Sequence, residues 1–185
     1  MESHSPNVNP SENVMIRKSI LLTHIHKAPG IKYRELLQLT GLGNGVLSYY
    51  LKNLEKSKCV KVKRTIKSQK SNMTRYFPLE VTNKECLIIG NIRRNTTKQI
   101  ILFILEHNNN CTFNEIVEHT NKSPSTISWQ LNRLKDAGIL TVHNRHQYQI
   151  YKVRNIVTKL LNKYNDRILD NITDNDAESS ASNPY

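Results

Sequence analysis

The chain has 185 residues, of which 27 are Lys or Arg and 15 are Asp or Glu, so its formal net charge is +12. This length fits two small domains better than one large domain. Solubility alone does not require so much positive charge, so the composition favours a polyanionic partner.

The cysteines and the apolar segments narrow the class of protein further. Cys59, Cys86 and Cys111 are odd in number and form no C-x-x-C pair, so we expect neither a disulfide framework nor a zinc knuckle. The polar N-terminus lacks the apolar segment of a secretory signal, and the longest apolar run, 100–105, is too short to span a bilayer. These patterns predict a cytoplasmic protein without a cofactor, a bound metal or a membrane partner.

The first half of the chain predicts three helices followed by a β-hairpin. Apolar spacing predicts an amphipathic first helix, and alternating apolar and basic residues after the third helix predict a strand with one wet face. The residues expected to face inward on the first helix are Val14, Ile16, Ile20, Leu21 and Ile25. The predicted elements are a disordered segment 1–11, a helix 12–27, a bridging strand at Ile31, a helix 33–40, a turn 41–43, a helix 44–57, and strands 60–66 and 74–77 around a polar loop.

The second half predicts the same order of elements. We expect Thr96 to cap its first helix, and the Thr112-x-x-Glu115 spacing is that of a capping box for the second. Ser123 is a good N-cap for the third helix, which Gly138 can end in the left-handed conformation. The remaining predicted elements are a connector 81–95 with a short helix over 80–91, a helix 97–107, strands 139–143 and 147–153 around a turn at Asn144-Arg145, a last helix 154–171, and a disordered acidic tail 172–185.

The two halves are copies of each other, related by a shift of 80 residues. A period this long indicates two domains of one fold rather than a solenoid, whose repeats run about 20–50 residues. Three helices and a hairpin are the elements of a winged helix-turn-helix. We therefore predict a mainly α fold with small β-hairpin wings, in which two tandem winged helix-turn-helix domains, 12–80 and 96–153, precede a C-terminal helix. The most telling aligned pairs are Glu35 with Glu115, Ser48 with Ser128, and Tyr49 with Trp129.

The third helix of each copy has an outward face typical of a helix that enters the DNA major groove. It holds short polar and aromatic side chains, which can approach base edges and phosphates, instead of the Glu and Lys of a solvated helix. An ordinary surface helix is the alternative, and Tyr49 or Trp129 can instead pack between domains or in a dimer. The predicted DNA-binding residues are Asn44, Gly45, Ser48, Tyr49, Lys52 and Asn53 in the first copy, and Ser125, Thr126, Ser128, Trp129, Asn132 and Arg133 in the second.

The predicted hairpins, or wings, add positive charge. Residues 52–75 contain nine cations and one acid, Glu55. Solubility is served by a mixture of positive and negative side chains, so this excess of cations favours contact with DNA phosphates. The alternative is a solvated hairpin that binds no DNA. The predicted wing contacts are Lys61, Lys63, Arg64, Lys67, Lys70 and Arg75 in the first copy, and Arg145 and His146 in the second.

Two segments resemble known regulators. The segment 29–56, P-G-I-K-Y-R-E-L-L-Q-L-T-G-L-G-N-G-V-L-S-Y-Y-L-K-N-L-E-K, followed by T-R-Y-F-P-L, resembles archaeal tandem winged-helix transcription regulators. The segment T-I-S-W-Q-L-N-R-L-K-D-A-G-I-L resembles the ArsR/MarR-type winged helix. The resemblance implies a sequence-specific transcription regulator whose third helices read the major groove and whose wings touch the backbone or minor groove. Tyr50 stands where many relatives carry His, and the metal-sensing cysteines of ArsR proteins are absent, so metal sensing is not implied.

Three classes of function follow from these patterns. The leading hypothesis is a sequence-specific regulator that binds double-stranded DNA, which we expect to be associated with the nucleoid. The alternatives are a non-specific architectural or chromatin protein and a winged-helix adaptor of the transcription machinery. An enzyme is not expected, because the chain has no nucleotide-binding loop and no coherent acid–base pair. The apolar stripe of the last helix fits either a homodimer or packing on its own domain.

Overall fold

The computed structural model describes residues 10–66 and 72–164, with side chains described over 13–64 and 73–164. The chain divides into two compact units, Met1–Cys86 and Leu87–Tyr185. Of the segment 1–11 that the sequence predicts to be disordered, residues 10 and 11 lie in the first helix, so that bound is wrong, and residues 1–9 lie outside the described residues. Most of the polar loop with Lys67 and Lys70 and the predictions for residues 165–185 also lie outside them.

The first unit combines three helices with a small antiparallel sheet. Its elements are α1 (Pro10–Lys27), β1 (Ile31–Lys32), α2 (Tyr33–Thr40), α3 (Asn44–Lys56), β2 (Lys61–Ile66) and β3 (Asn72–Phe77). The strands lie in the order β1-β3-β2, and Lys63 of β2 pairs with Arg75 of β3. A further helix, α4 (Asn83–Ile92), begins in this unit and ends in the second.

Two glycines set the turns of the first unit. Gly30 has φ +79, and its N–H donates to the carbonyl of Tyr76 at 2.8 Å, which leads the chain from α1 into β1. Gly41 ends α2 with φ +63, and its N–H donates to the carbonyl of Leu37 at 3.1 Å. Both φ values lie in the left-handed region, which costs glycine little because it has no Cβ. The predicted turn at 41–43 is confirmed.

The core of the first unit lies between the helices and one face of the sheet. Burial of each aliphatic side chain contributes roughly 1.5–3 kcal/mol, so this cluster is the main stabilising term of the unit. The opposite sheet face carries Phe77, which is also fully buried. The core residues include Leu21, Ile25, Ile31, Leu36, Leu47, Leu51, Leu54 and Val60.

The prediction for the inward face of α1 is partly wrong. Leu21 and Ile25 are fully buried, whereas Ile16 is 47% exposed and Ile20 is 43% exposed. At 100° per residue, Ile16 and Ile20 lie roughly 100–180° around the helix from the two buried residues. Val14 lies on the buried side but two turns earlier, and it is also exposed. The first turns of α1 therefore present apolar side chains to solvent.

The second unit repeats this order of elements with a two-stranded sheet. The elements are α5 (Asn95–Glu106), α6 (Phe113–Thr120), α7 (Pro124–Asp136), β4 (Leu140–Arg145), β5 (Tyr148–Val153) and α8 (Asn155–Tyr164). Cys111 forms an isolated bridge to Tyr151. Ile127, Leu131 and Leu134 of α7 are buried and form the inward stripe of that helix.

Most predicted helix ends in this unit are confirmed. The Thr112 hydroxyl accepts from the N–H of Glu115, and the Glu115 carboxylate accepts from the N–H of Thr112 at 2.7 Å, which is the predicted capping box. The Ser123 hydroxyl accepts from the N–H of Thr126 at 3.3 Å, and Gly138 has φ +66. The prediction for Thr96 is wrong, because α5 begins at Asn95 and no side chain caps it.

The predicted turn of the second hairpin is displaced by two residues. Asn144 and Arg145 both lie in β4, and Arg145 pairs with Tyr148. The turn consists of His146, with φ +54, and Gln147. A positive φ at the first residue only is the pattern of a type II′ turn, which suits a two-residue hairpin loop. The prediction followed the general turn preference of Asn rather than the strand register.

The described part of the last helix is covered within the chain. Val157, Leu160 and Tyr164 of α8 are buried, which favours packing over an exposed pairing stripe. The homodimer stays a prediction, and Ile168, which belongs to the predicted stripe, lies outside the described residues.

The fold is thus mainly helical with small antiparallel hairpins, as in winged helix-turn-helix proteins. Over 10–66 and 72–164, no helix is long and apolar enough to cross a membrane. The same ranges hold no group of three or more His, Cys, Asp or Glu residues that could ligate a metal ion.

Candidate nucleic-acid interface

The outward face of α3 is open to solvent along most of its length. Tyr49 is 61% exposed and its ring packs edge-on against buried Tyr50, with the ring centroids 5.4 Å apart. A Cβ added at Gly45 would meet no atom within 4 Å, so the backbone is accessible at that point. Lys52 is exposed, and Ser48 and Asn53 are half-buried. The predicted residues of this helix therefore share one accessible face.

Asn44 begins α3 and is partly engaged by α2. The Tyr33 hydroxyl donates to the Asn44 carbonyl at 2.8 Å and lies 3.4 Å from its Oδ1. This contact fixes the start of α3 relative to α2. The Asn44 side chain remains exposed, so its amide is still accessible to a partner.

The cations of the first wing differ in how much of their charge is free. Arg64 donates two hydrogen bonds to Glu55, at 2.7 and 2.6 Å. This fork joins the wing to the last turns of α3. The hydrogen bonds from Arg64 lower the pKa of Glu55, and those to Glu55 raise the pKa of Arg64. Both groups therefore stay charged, and the positive charge of Arg64 is largely balanced.

Two other predicted wing contacts face into the protein. Arg75 is 5% exposed, and its Nη1 donates to the carbonyl of Gly30 at 2.7 Å. Lys61 donates from Nζ to the carbonyls of Leu79, at 3.2 Å, and Val81. Their positions in the sheet explain this, because Lys61 pairs with buried Phe77 and Arg75 lies in the central strand. We therefore leave Arg75 and Lys61 out of the DNA-contact surface.

Four of the exposed lysines of the first unit lie on α3, directly after it or in β2. Lys58, which has φ +53, follows the helix, and Lys63 is exposed in β2. Cations near a helix C-terminus are favoured by the helix dipole. We call this set the α3-end lysines: Lys52, Lys56, Lys58 and Lys63.

The N-terminal turn of α7 presents a cluster of hydroxyls. Ser123 lies 3.1 Å from the Ser125 hydroxyl and 2.8 Å from the Thr126 hydroxyl, oxygen to oxygen. Ser125, Thr126, Ser128 and Asn132 are exposed. Side chains of this size can reach base edges and phosphates without holding the helix away from them.

Arg133 lies at the edge of this face and is held by two contacts. Its Nη2 donates to Asn91 Oδ1 of α4 at 2.5 Å, and its Cζ lies 5.1 Å from the ring centre of Trp129. Burial and the nearby charge of Arg94 lower the pKa of Arg133 to about 10. Trp129 itself is 58% exposed. Arg133 is therefore only partly available to DNA, whereas Trp129 is open.

The second wing is short and its tip is exposed. Arg145 and His146 are both accessible, as predicted for a wing tip. The sequence reading missed Tyr148, which is 63% exposed directly opposite Arg145. It also missed Arg94, whose proximity to Arg133 comes from the packing of α7 near the start of α5. The burial of residues along β5 does not alternate, so neither the exposed Tyr148 nor the Arg94 contact has a local signal in the sequence.

Comparison with known proteins agrees with this geometry in the second unit. Residues 95–142, which run from the start of α5 into β4, match the family model for bacterial regulatory protein, arsR family. No curated protein gives a significant match to the chain. The matched segment contains all of α7, and the family consists of non-enzymatic regulators. The second unit therefore resembles an ArsR-type helix-turn-helix, and the match suggests that the chain regulates transcription by binding double-stranded DNA.

Proposed function

We propose that the chain is a sequence-specific regulator of transcription in which α3 and α7 each enter a major groove. The observation that carries this proposal is the exposed face of α7, which lies inside the family-matched segment and is small, polar and aromatic. A helix that only supports the fold would typically present Glu and Lys side chains to solvent. Ser128, Asn132 and Trp129 are the residues assigned to base edges and thymine methyl groups.

The first unit supports a second reading helix. It has the same order of helices and hairpin as the second unit, and α3 occupies the place of α7. We therefore assign residues 12–80 and 96–153 to two tandem winged-helix domains. Two reading helices in one chain can contact two half-sites without a dimer.

The backbone contacts are assigned to the exposed cations. The α3-end lysines can neutralise phosphates beside the groove, and Arg145 and His146 can do so at the second wing. Each neutralised phosphate contributes about −0.9 to the slope of log K against log salt. Lys67 and Lys70 remain assigned to the first wing from the sequence alone.

The test is a fluorescence-anisotropy titration that compares a random duplex with a site selected from a randomised pool, at ~150 mM salt. A sequence-specific regulator should bind the selected site ~10³-fold or more tightly. Equal binding to all duplexes with a steep salt slope would instead identify an architectural protein. No appreciable binding to either would support an adaptor, for which the exposed apolar residues of α1 offer a contact surface.

A further inference from the structure

Two arginines of the second unit interact electrostatically, and neither has an acidic partner among the described residues. Arg133 of α7 and Arg94 at the start of α5 are both partly buried, and each lies near Asn91 of α4. Within the described residues, neither guanidinium forms a salt bridge. The Nε of Arg94 is shielded from solvent and has no hydrogen-bond partner in the structure.

The position of Asn91 keeps Arg133 near Arg94. The Asn91 Nδ2 donates to the carbonyl of Leu87 at 2.9 Å, so its Oδ1 faces Arg133 and accepts from it. The backbone N–H of Arg94 donates to the Asn91 carbonyl at 3.1 Å. Asn91 therefore holds the Arg133 guanidinium beside the backbone of Arg94. The Thr97 hydroxyl of α5 also donates to Gln130 Oε1 of α7 at 3.4 Å, which brings the start of α5 next to α7.

This arrangement is unfavourable without an anion. Burial lowers the pKa of both arginines, and the charge of Arg94 lowers that of Arg133 further. Partly buried like charges destabilise a fold unless a counter-ion joins them. Arg94 also occupies the N-cap position of α5, and no side chain caps that helix. Uncapped N–H groups at a helix start add partial positive charge beside the arginines.

We propose that Arg94, Arg133 and the start of α5 bind a phosphate-type oxyanion. Guanidinium groups donate in a planar fork that matches the oxygens of phosphate, and two of them can contact one phosphate together. Arg133 also lies over Trp129 on the outward face of α7. Occupation of the site therefore changes the surroundings of a residue that is assigned to the DNA-reading face. The phosphate can belong to the DNA backbone or to a free phosphate compound.

Trp129 is the only tryptophan of the chain, so its fluorescence reports on Arg133. The experiment titrates the full chain with inorganic phosphate, without DNA, while sodium chloride keeps the ionic strength constant. Isothermal titration calorimetry of the same samples gives a second readout. The variants are Arg94→Gln, which removes one guanidinium, and Lys135→Gln, which removes an exposed charge from α7 at a position outside the site.

We expect saturable phosphate binding in the wild type and in Lys135→Gln. Binding should weaken about tenfold or more in Arg94→Gln, because the charged hydrogen bonds to that guanidinium are lost. Phosphate should also raise the Tm of the wild type more than that of Arg94→Gln, because a ligand stabilises only the state it binds. The absence of phosphate binding in both readouts, or equal binding in Arg94→Gln, would overturn the proposal.

A separate titration with DNA distinguishes a backbone phosphate from a free phosphate compound. The salt slope for a random duplex is compared between the wild type and Arg94→Gln. A slope reduced by about one unit supports the site and assigns it to a backbone phosphate. An unchanged slope, together with lost phosphate binding, supports the site and assigns it to a free phosphate compound. Because the phosphate titration contains no DNA, its outcome does not depend on the proposed regulatory function.

Discussion

The ion pair with Glu55 reduces the positive charge that Arg64 can offer to a DNA phosphate. The two side chains are joined by two hydrogen bonds at the surface, where such a pair contributes only about 0–1 kcal/mol to stability. The more important effect of the carboxylate is therefore electrostatic. It holds Arg64 against α3 and cancels its charge next to the α3-end lysines.

Replacing Glu55 with Gln should release Arg64 for DNA. We expect tighter binding to random duplex and a salt slope steeper by roughly 0.9, since one more phosphate is neutralised. Anisotropy titrations at several salt concentrations measure both quantities. Glu118→Gln is the matched control, because it removes the same charge from an exposed position of α6. Equal steepening in the two variants would contradict the account of Arg64.

At Gly45, one substitution should change the stability of α3 and the affinity for DNA in opposite directions. Its added Cβ would meet no atom of the chain within 4 Å, so Gly45→Ala introduces no clash in the free protein. Alanine is favoured over glycine in a helix, so the free energy of unfolding should rise by up to about 1 kcal/mol in urea denaturation. The affinity for the selected site should fall nevertheless, because the methyl group occupies space needed by the DNA. An affinity that stays unchanged would remove Gly45 from the interface.

Among the secondary-structure elements, α6 is stabilised at its N-terminus by one capping box. The Glu115 Oε2 accepts from the N–H of Thr112 at 2.7 Å and from its hydroxyl at 2.8 Å. Together these hydrogen bonds position the helix that precedes α7. Thr112→Ala should lower the free energy of unfolding by about 1 kcal/mol, as lost N-caps do. Chemical denaturation measures this change, and a loss below about 0.3 kcal/mol would show that the box contributes little.

The same box predicts a pH dependence. Hydrogen bonds from Thr112 lower the pKa of Glu115, first from its backbone and then from its side chain. A lowered folded-state pKa stabilises the fold above the unfolded value of about 4.3, and this stabilisation is lost as the pH falls through the folded value. Glu115→Gln should therefore be less stable than the wild type at neutral pH, with the difference narrowing below about pH 4. A difference that stays constant with pH would contradict this assignment.

Local chemistry explains which elements could be predicted. The ends of α2, α6 and α7 depend on Gly41, Thr112 and Ser123, whose effects act within a few residues, and these predictions are confirmed. The inward face of α1 was not fully predictable, because its apolar residues run around the helix and only packing selects Leu21 and Ile25. The second hairpin turn depends on strand register, which local residue preferences do not determine.

At the scale of the whole molecule, a net charge of +12 overstates the surface available to DNA. In the sequence every cation counts alike, but contacts between distant residues determine which cations are exposed and which are bound within the protein. Arg75 reaches Gly30 across 45 positions, and Arg133 reaches Asn91 across 42. Contacts of this range leave no pattern in a single sequence. The exposed faces of α3 and α7 could be predicted because helical periodicity alone places their residues opposite the core.

The central claim is that the outward face of α7 reads base sequence. The most direct measurement is the dissociation constant of the double variant Ser128→Ala/Asn132→Ala for the selected site and for random duplex. Both side chains are exposed, so the fold should tolerate their loss. We predict at least ~10-fold weaker binding to the selected site and random-duplex binding within about 2-fold of the wild type, because base contacts contribute only where the correct base is present. Unchanged affinity for both duplexes, or an equal loss on both, would contradict the claim.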